Sequence, residues 1–310
     1  MVASGAVRRP NTSLDSGSMR VGVIDVGANT VRVLVVEQTT QGPRIVKEQK
    51  ARLSLGADVE ATGSLSSDRI KQTAEYVRAY ARLARNLGVS SLDVLVTSPG
   101  RQARNGHELT RELSRASRTD TRILSSEMEG QLAYYGAISA VGPLAGRTLV
   151  CDVGGGSTQL IVGENDAVLW QLSVDIGSLR LTRRFGLARA ATSSKVVAAR
   201  SEVQRLLGTI RIPAVAQAYA TGGTAKALGR ICDREMTGAA LEQAITRISA
   251  LSPTKMSNLY PVGCWRAERL LAGALILSEL QRRAGVPLRV AGGGIREGAA
   301  LTMLDRLAAA

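Results

Sequence analysis

A short segment occurs twice in this chain, and its two copies constrain the fold more than any other feature. Residues 21–37 read VGVIDVGANTVRVLVVE, and residues 148–164 read TLVCDVGGGSTQLIVGE. Asp25 aligns with Asp152 at an offset of 127 residues. Each copy is a β-branched apolar run, an Asp, a turn with Gly and a second apolar run, which is typical of a β-hairpin. The repeat therefore predicts two similar α/β lobes, each opening with a hairpin.

The turn of each copy carries groups that suit an anion. Glycine lets the backbone approach a ligand closely, and successive backbone N–H groups in a tight turn form an anion nest. Thr30 and Ser157 add hydroxyl donors, while Asp25 and Asp152 could hold a hydrated Mg²⁺ or position a water. A turn of this composition can also be purely structural. Two copies in register favour a ligand site over that alternative.

Two more glycine-rich junctions follow in the second half of the chain. Residues 218–228 read AYATGGTAKAL, and residues 288–299 read LRVAGGGIREGA. Both patterns predict a strand, a glycine turn and a helix, an arrangement that aims helix N-terminal N–H groups at an anion. Neither fits GxGxxG or GxxxxGK[ST], which disfavours the Rossmann and P-loop families.

Charge and composition narrow the class of ligand that the chain could bind. The chain has 40 Lys and Arg against 26 Asp and Glu, a net charge of +14, which favours a polyanionic partner. An apolar content of 45% supports a buried core, and no run of about 18 apolar residues predicts a membrane span. Aromatic residues make up only 3%, and no recognition motif is present, so we expect no nucleic acid partner. The three cysteines form no CxxC pair, which disfavours a zinc site, and the lone His107 lies in a polar stretch.

The remaining pattern gives a coarse map of the chain. Residues 1–18 lack apolar periodicity and a signal-peptide core, so we expect a disordered tail and a cytoplasmic protein. Apolar stripes predict helices over 70–87, 194–208, 238–250 and 266–284, and a strand over 92–97.

Five further motifs give the chain a resemblance to a known family. They are the following segments: Val96-Thr-Ser-Pro-Gly-Arg-Gln-Ala-Arg-Asn105, Ile123-Leu-Ser-Ser-Glu-Met-Glu-Gly130, the pair Leu53-x-Leu-Gly56 and Thr62-Gly63-x-Leu65, Arg266-Ala-Glu-Arg269 with Ala272-Gly-Ala-Leu275, and Arg296-Glu-Gly298. With the two hairpins, this ordered set resembles the exopolyphosphatase / guanosine pentaphosphate phosphohydrolase (Ppx/GppA) family. That family belongs to the actin/Hsp70/sugar-kinase superfamily.

The resemblance implies an α/β fold of two similar actin-like (ribonuclease H-like) lobes with a cleft between them. Lobe I would cover residues 19–133 with 297–310 returning to it, and lobe II would cover residues 134–296. It also implies a cytoplasmic hydrolase that releases terminal phosphate from inorganic polyphosphate or from pppGpp, the latter a link to the stringent response. Mg²⁺ would assist the attack of water in the cleft, and a homodimer is plausible.

Site residues follow from the resemblance by motif position. Glu129 would be the general base, and Asp25, Asp152 and Glu129 would hold the divalent cation. Phosphate would be bound by the two hairpin loops, two arginines and the third glycine turn: Gly27, Asn29, Thr30, Arg32, Arg101, Gly154, Gly155, Gly156, Ser157, Thr158, Gly222, Gly223 and Thr224. A guanidinium suits this role because it grips phosphate oxygens with two donors and stays charged.

The sequence departs from the family pattern at a position that matters for catalysis. The second loop of the family normally runs D-x-G-G-G-S-x-E, and this chain has Gln159 in place of the final Glu. A glutamine can neither take a proton nor contribute charge to Mg²⁺. The alternative is therefore a weak or inactive regulator that binds polyphosphate or (p)ppGpp. An ATP-dependent kinase or chaperone-like ATPase is a third possibility, for which the chain is short.

Length separates members within the family as well. Long members add helical domains that extend the channel for polyphosphate, whereas this sequence ends soon after Arg296-Glu-Gly298. On this ground we expect a preference for short chains.

Overall fold

Two β-sheets with matching strand arrangements form the framework of the computed structural model, which describes residues 19–142 and 144–309. The predicted tail, residues 1–18, lies outside the described residues. The first part of the chain forms β1 (Arg20–Val26), β2 (Thr30–Thr39), β3 (Gly42–Arg52), α1 (Leu55–Thr62), α2 (Ser67–Asn86), β4 (Ser91–Val96), α3 (Ser98–Gln102), α4 (Gly106–Ser117), β5 (Thr121–Ile123) and α5 (Ser126–Val141). These strands make a five-stranded sheet in the order β3-β2-β1-β4-β5.

The second part of the chain repeats this arrangement. It forms β6 (Thr148–Val153), β7 (Thr158–Glu164), β8 (Ala167–Val174), α6 (Ser178–Phe185), α7 (Ser193–Leu207), β9 (Gln217–Thr221), α8 (Gly222–Ile231), β10 (Glu235–Met236), α9 (Gly238–Ser249), α10 (Pro253–Leu259), α11 (Cys264–Ala284), β11 (Leu288–Val290) and α12 (Ile295–Ala308). Its sheet has the order β10-β11-β9-β6-β7-β8. In each sheet an antiparallel three-stranded ribbon is followed by two parallel strands, and the second sheet adds β10 as an antiparallel edge strand.

The two sequence copies occupy equivalent hairpins. Asp25 pairs with Arg32 across β1 and β2, and Asp152 pairs with Gln159 across β6 and β7. The central strands are buried on both faces, which explains why their sequences are almost continuously apolar. The prediction of an α/β fold with two similar lobes is confirmed.

Helices α5 and α12 join the two halves. Helix α5 packs on β7 and β8, helix α12 packs on β1 and β2, and the two helices pack on each other. Leu132 belongs to the core below the first sheet, whereas Tyr134 and Ala137 belong to the core below the second. Helix α5 thus runs across the predicted lobe boundary at residue 133, and that boundary stays a prediction.

The crossing of these helices depends on glycine. A Cβ on Gly136 would overlap the carbonyl oxygen of Gly294, and a Cβ on Gly293 would overlap the carbonyl oxygen of Gly136. The backbones approach so closely that no larger residue fits without a shift. The three glycines before α12 therefore also allow α12 to pack closely against α5.

The predicted helices are present with small shifts at their ends. Helix α2 ends at Asn86, where the stripe predicted an end near Gly88, and α11 begins two residues before Arg266. Strand β4 ends at Val96, and the Thr97 N–H donates to the carbonyl oxygen of Val26. Along the described ranges, no helix combines the length and apolar character needed to cross a membrane.

Candidate active site

The two hairpin loops face each other at the carboxyl ends of β1 and β6. Each loop is closed by the same bond: Gly27 N–H donates to Thr30 O, and Gly154 N–H donates to Ser157 O, both at 3.0 Å. The loops also touch, because a Cβ on Gly155 would overlap the Asn29 amide. The repeat in the sequence therefore becomes a pair of backbone turns that converge on one place.

A cleft cavity of about 520 Å³ opens at these loops. Most of the predicted site residues line it, namely Asp25, Gly27, Asn29, Thr30, Arg32, Glu129, Asp152, Gly154, Gly155, Ser157, Gly222, Gly223 and Thr224. Gly222 has φ +84°, a conformation that favours glycine, and it starts α8 beside Asp152. The structure thus brings together residues that are up to 199 positions apart, from Asp25 to Thr224.

Four predicted residues do not line the cleft. The Thr158 hydroxyl donates to Ile176 O at 2.6 Å, and Gly156 lies against Ser98. Gln159 is buried, and its Nε2 donates to Ser157 Oγ at 3.0 Å and to Ser173 Oγ at 3.3 Å. Arg101, the fourth, contacts Glu129. The contacts of these four residues are with protein groups around the cleft, and their predicted roles stay predictions.

Glu129 lies in the first turn of α5, where the Ser125 hydroxyl caps the helix by accepting from Met128 N–H. Only 5% of Glu129 is exposed. The Arg101 Nη1 lies 2.5 Å from Glu129 Oε2, and it also donates to Leu124 O at 2.8 Å. Arg101 therefore holds the carboxylate in place instead of lining the cavity.

Burial sets the acidity of this group. It raises the pKa of Glu129 to about 7, with Arg101 opposing the rise and the charges of Asp152 and Asp25 adding to it. A carboxyl with this pKa is ionised in a large fraction of molecules at neutral pH and can accept a proton, which suits a general base.

Asp25 and Asp152 form a second pair of buried carboxyls. Burial raises the pKa of Asp25, although Arg32 and Arg296 oppose the rise. Burial and the charge of Asp25 raise the pKa of Asp152 to about 6. Asp25 Oδ1 is buried and has no hydrogen-bond partner among the described residues. At both carboxyls burial outweighs the attraction of the nearby arginines, so ionising the two together is unfavourable without an added cation.

This pair fits a hydrated magnesium ion. Within the described ranges, no group of three or more His, Cys, Asp or Glu side chains is placed to hold a metal ion. Mg²⁺ usually keeps several waters and is held by one or two carboxylates together with substrate phosphates. Asp25 with its unpartnered oxygen and Asp152 beside it provide that limited donor set.

Several cleft residues were missed by the sequence reasoning. They are mostly cations: Lys50, Lys226, Arg230, Arg266 and Arg296. Arg296 is only 6% exposed and forms an ion pair of 2.8 Å with Glu48. In a chain with 40 Lys and Arg, no local signal separates Lys50 and Arg230 from solvated cations. Arg266 and Arg296 each open a motif quoted above, and Lys226 follows the glycine turn at 222–223, which is the signal that could have found them.

Comparison with known proteins agrees with this geometry. The family model described as the Ppx/GppA phosphatase family matches residues 34–307, and the chain belongs to this family. Exopolyphosphatase 1 of Mycobacterium tuberculosis is 27% identical over 93% of this chain and 89% of its own length. The guanosine-5'-triphosphate,3'-diphosphate pyrophosphatase of Pseudoalteromonas translucida is 25% identical over 92% of this chain, which spans 59% of that protein.

Solved structures show the same fold. The PPX-GPPA enzyme of Aquifex aeolicus has a TM-score of 0.78 at 26% identity, covering 92% of this chain and all of that one. An exopolyphosphatase from Cytophaga hutchinsonii has a TM-score of 0.83 at 20% identity, covering 93% of this chain and 98% of that one. The predicted family, fold and enzyme class, a phosphoanhydride hydrolase, are confirmed. The roles of individual residues stay predictions.

Proposed function

We propose that this chain is an exopolyphosphatase, which releases the terminal phosphate of short linear polyphosphate or of pppGpp. The observation that carries the proposal is Glu129, a buried carboxyl fixed by Arg101 and open to a cleft lined by two glycine loops. The relatives named exopolyphosphatase and guanosine pentaphosphate pyrophosphatase support the substrate class.

Hydrolysis of a phosphoanhydride requires mainly that the water and the phosphate be positioned and that the developing negative charge be stabilised. Glu129 takes a proton from a water whose oxygen attacks the terminal phosphorus. The bridging P–O bond then breaks, and its electron pair stays on the shortened chain, so the products are inorganic phosphate and a chain shorter by one unit. The loop N–H groups and the Thr30 and Ser157 hydroxyls hold phosphate oxygens before and during this step.

Cations of the cleft oppose the charge of the substrate. Arg32 and Arg266 line the cavity without an ion pair to any carboxylate of the described chain. Arg32 Nε donates to Thr30 Oγ1 at 3.1 Å, so the other donors of Arg32 and those of Arg266 are available to phosphate. When bound at Asp25 and Asp152, Mg²⁺ would supply further neutralisation of phosphate charge. Glu129 contributes the proton acceptor, which the cation does not replace.

The second candidate is a binder with little or no turnover, and Gln159 is the observation that favours it. The missing carboxylate removes one acid from the family pattern. However, Gln159 does not line the cleft, and its amide is used by Ser157 and Ser173. The cleft keeps Asp25, Asp152 and Glu129 regardless of residue 159, which favours hydrolysis.

A substrate panel tests the proposal. Phosphate release is measured with tripolyphosphate, long linear polyphosphate, pppGpp and ATP, each with Mg²⁺ and with EDTA. We expect Mg²⁺-dependent release from tripolyphosphate or pppGpp, one phosphate at a time. Tight binding of these anions without release would instead establish the binder.

A further inference from the structure

We propose that three arginines around Trp265 form a second anion subsite, which holds the substrate phosphates furthest from the one to be cleaved. This inference rests on the proposed function, because both concern the same polyanionic substrate. The subsite consists of Arg52, Trp265, Arg266 and Arg269, called the Trp265 cluster below.

Both lobes contribute to the Trp265 cluster. Arg52 is the last residue of β3 in the first sheet, and the other three residues lie in the first turns of α11. The guanidinium carbons of Arg269, Arg52 and Arg266 lie 3.9, 5.4 and 6.0 Å from the indole centroid. These are cation–π distances, so the indole orients the guanidiniums while leaving their positive charge in place.

The charge of the cluster is not neutralised by a direct ion pair among the described residues, and Arg269 Nη1 donates to Trp265 O at 2.8 Å. Within the described ranges, no carboxylate forms an ion pair with Arg52, Arg266 or Arg269. The Arg269 Nε is buried and has no hydrogen-bond partner there. Crowded guanidiniums with free donors are costly unless an anion binds between them.

The acidity of these groups agrees with that geometry. Burial, together with the smaller effects of the charges of Arg32, Arg269 and Arg52, lowers the pKa of Arg266 to about 10. Burial also lowers the pKa of Arg269 to about 10; Glu268 opposes this change, and the charges of Arg183 and Arg52 add to it. Arg266 and Arg269 are thus both repelled by Arg52, which reaches them from the first sheet.

The cluster is continuous with the cleft. Arg266 lines the cavity together with Arg32 and Lys50, and burial and the charges of Arg32, Arg266 and Arg52 lower the pKa of Lys50. The Arg266 guanidinium lies against Gly223, where a Cβ would overlap it. Positive charge therefore runs from the hairpin of the first lobe, past the glycine turn of α8, to Trp265. A linear chain of phosphates can follow this row, whereas a very short one cannot contact all of it.

Tryptophan fluorescence offers a direct test. The chain has two tryptophans, and Trp170→Phe leaves Trp265 as the reporter. Tripolyphosphate and linear polyphosphate of tens of phosphates are titrated into W170F protein that also carries E129Q, so that the chains are not shortened. We expect Arg52→Gln to raise the Kd of the long chain by about tenfold and that of tripolyphosphate by less than about twofold. Arg52→Lys should retain most of the affinity.

Arg78→Gln is the matched control, because Arg78 is an exposed arginine on the surface of α2 and its loss removes the same charge. Arg52 is exposed as well, so neither change should affect folding, and Arg269→Gln serves as a second variant. Equal weakening of both ligands, or equal effects of R52Q and R78Q, would overturn the subsite. If no substrate of the panel releases phosphate, the proposed function is wrong. The titration still tests anion binding by the Trp265 cluster, because it measures Kd and not turnover.

Discussion

Arg32 and Gln159 occupy equivalent positions in the two lobes, each directly opposite an aspartate across its hairpin. Arg32 pairs with Asp25 and Gln159 pairs with Asp152. Their environments differ: Arg32 lines the cleft, whereas Gln159 is 1% exposed and donates to the hydroxyl of Ser157. The repeated hairpins therefore share a backbone while only the first one presents a cation to the cavity.

This arrangement predicts the effect of restoring the family's residue at position 159. Because residue 159 does not line the cleft, Gln159→Glu should change kcat for phosphate release by less than about threefold, which is within about 0.7 kcal/mol. Initial rates with tripolyphosphate and Mg²⁺ measure this. A gain of more than about tenfold would show that position 159 limits catalysis and would favour the binder hypothesis for the natural chain.

Glu129 should be essential for turnover. Glu129→Gln keeps the shape of the side chain but cannot accept a proton, so kcat should fall by about 10²–10⁴-fold while the Kd for substrate changes little. Glu127→Gln is the control, because Glu127 is exposed in the same helical turn. Rates and equilibrium binding are measured on both variants. Unchanged phosphate release by E129Q would remove the proposed base.

The same carboxyl predicts how stability changes with pH. The folded-state pKa of Glu129, about 7, exceeds its unfolded value. As pH rises through this interval the unfolded state loses the proton first, so stability should fall between about pH 4.5 and 7. In EDTA, E129Q should lack this contribution, which is about 1–3 kcal/mol. Thermal unfolding of both proteins at pH 5 and pH 8 measures it, and parallel pH profiles would contradict the expectation.

Close helix packing predicts a large cost at Gly136. A Cβ there would overlap the Gly294 carbonyl, so Gly136→Ala should lower the free energy of unfolding by about 2 kcal/mol or more. Ser201→Ala is the control, because Ser201 lies on an exposed position of α7, away from the crossing. Urea unfolding monitored by circular dichroism compares the two. A G136A protein as stable as S201A would mean that the helices move apart without cost.

The repeat was sufficient to predict the hairpins, the glycine loops and the two-lobed fold, because strand pairing and turn chemistry are local properties of sequence. Arg101 shows the limit of this reasoning. Its motif position predicts phosphate binding, which stays a prediction, whereas its contact with Glu129, 28 residues away in sequence, could not be read from the motif. Lys50 was missed for the same reason: a cation becomes a site residue only when tertiary packing brings it to the cavity, and its own neighbours in sequence do not encode that.

The crossing of α5 and α12 has a mechanical consequence. The contact consists of backbone against backbone at Gly136, Gly293 and Gly294. Backbone atoms have no rotamers, so the spacing of the two helices at this point cannot be relaxed by a side-chain movement. A residue larger than glycine at Gly136 or Gly293 can be accommodated only by moving one helix, and with it the sheet on which that helix packs. The crossing therefore sets the distance between the two halves of the molecule at this point.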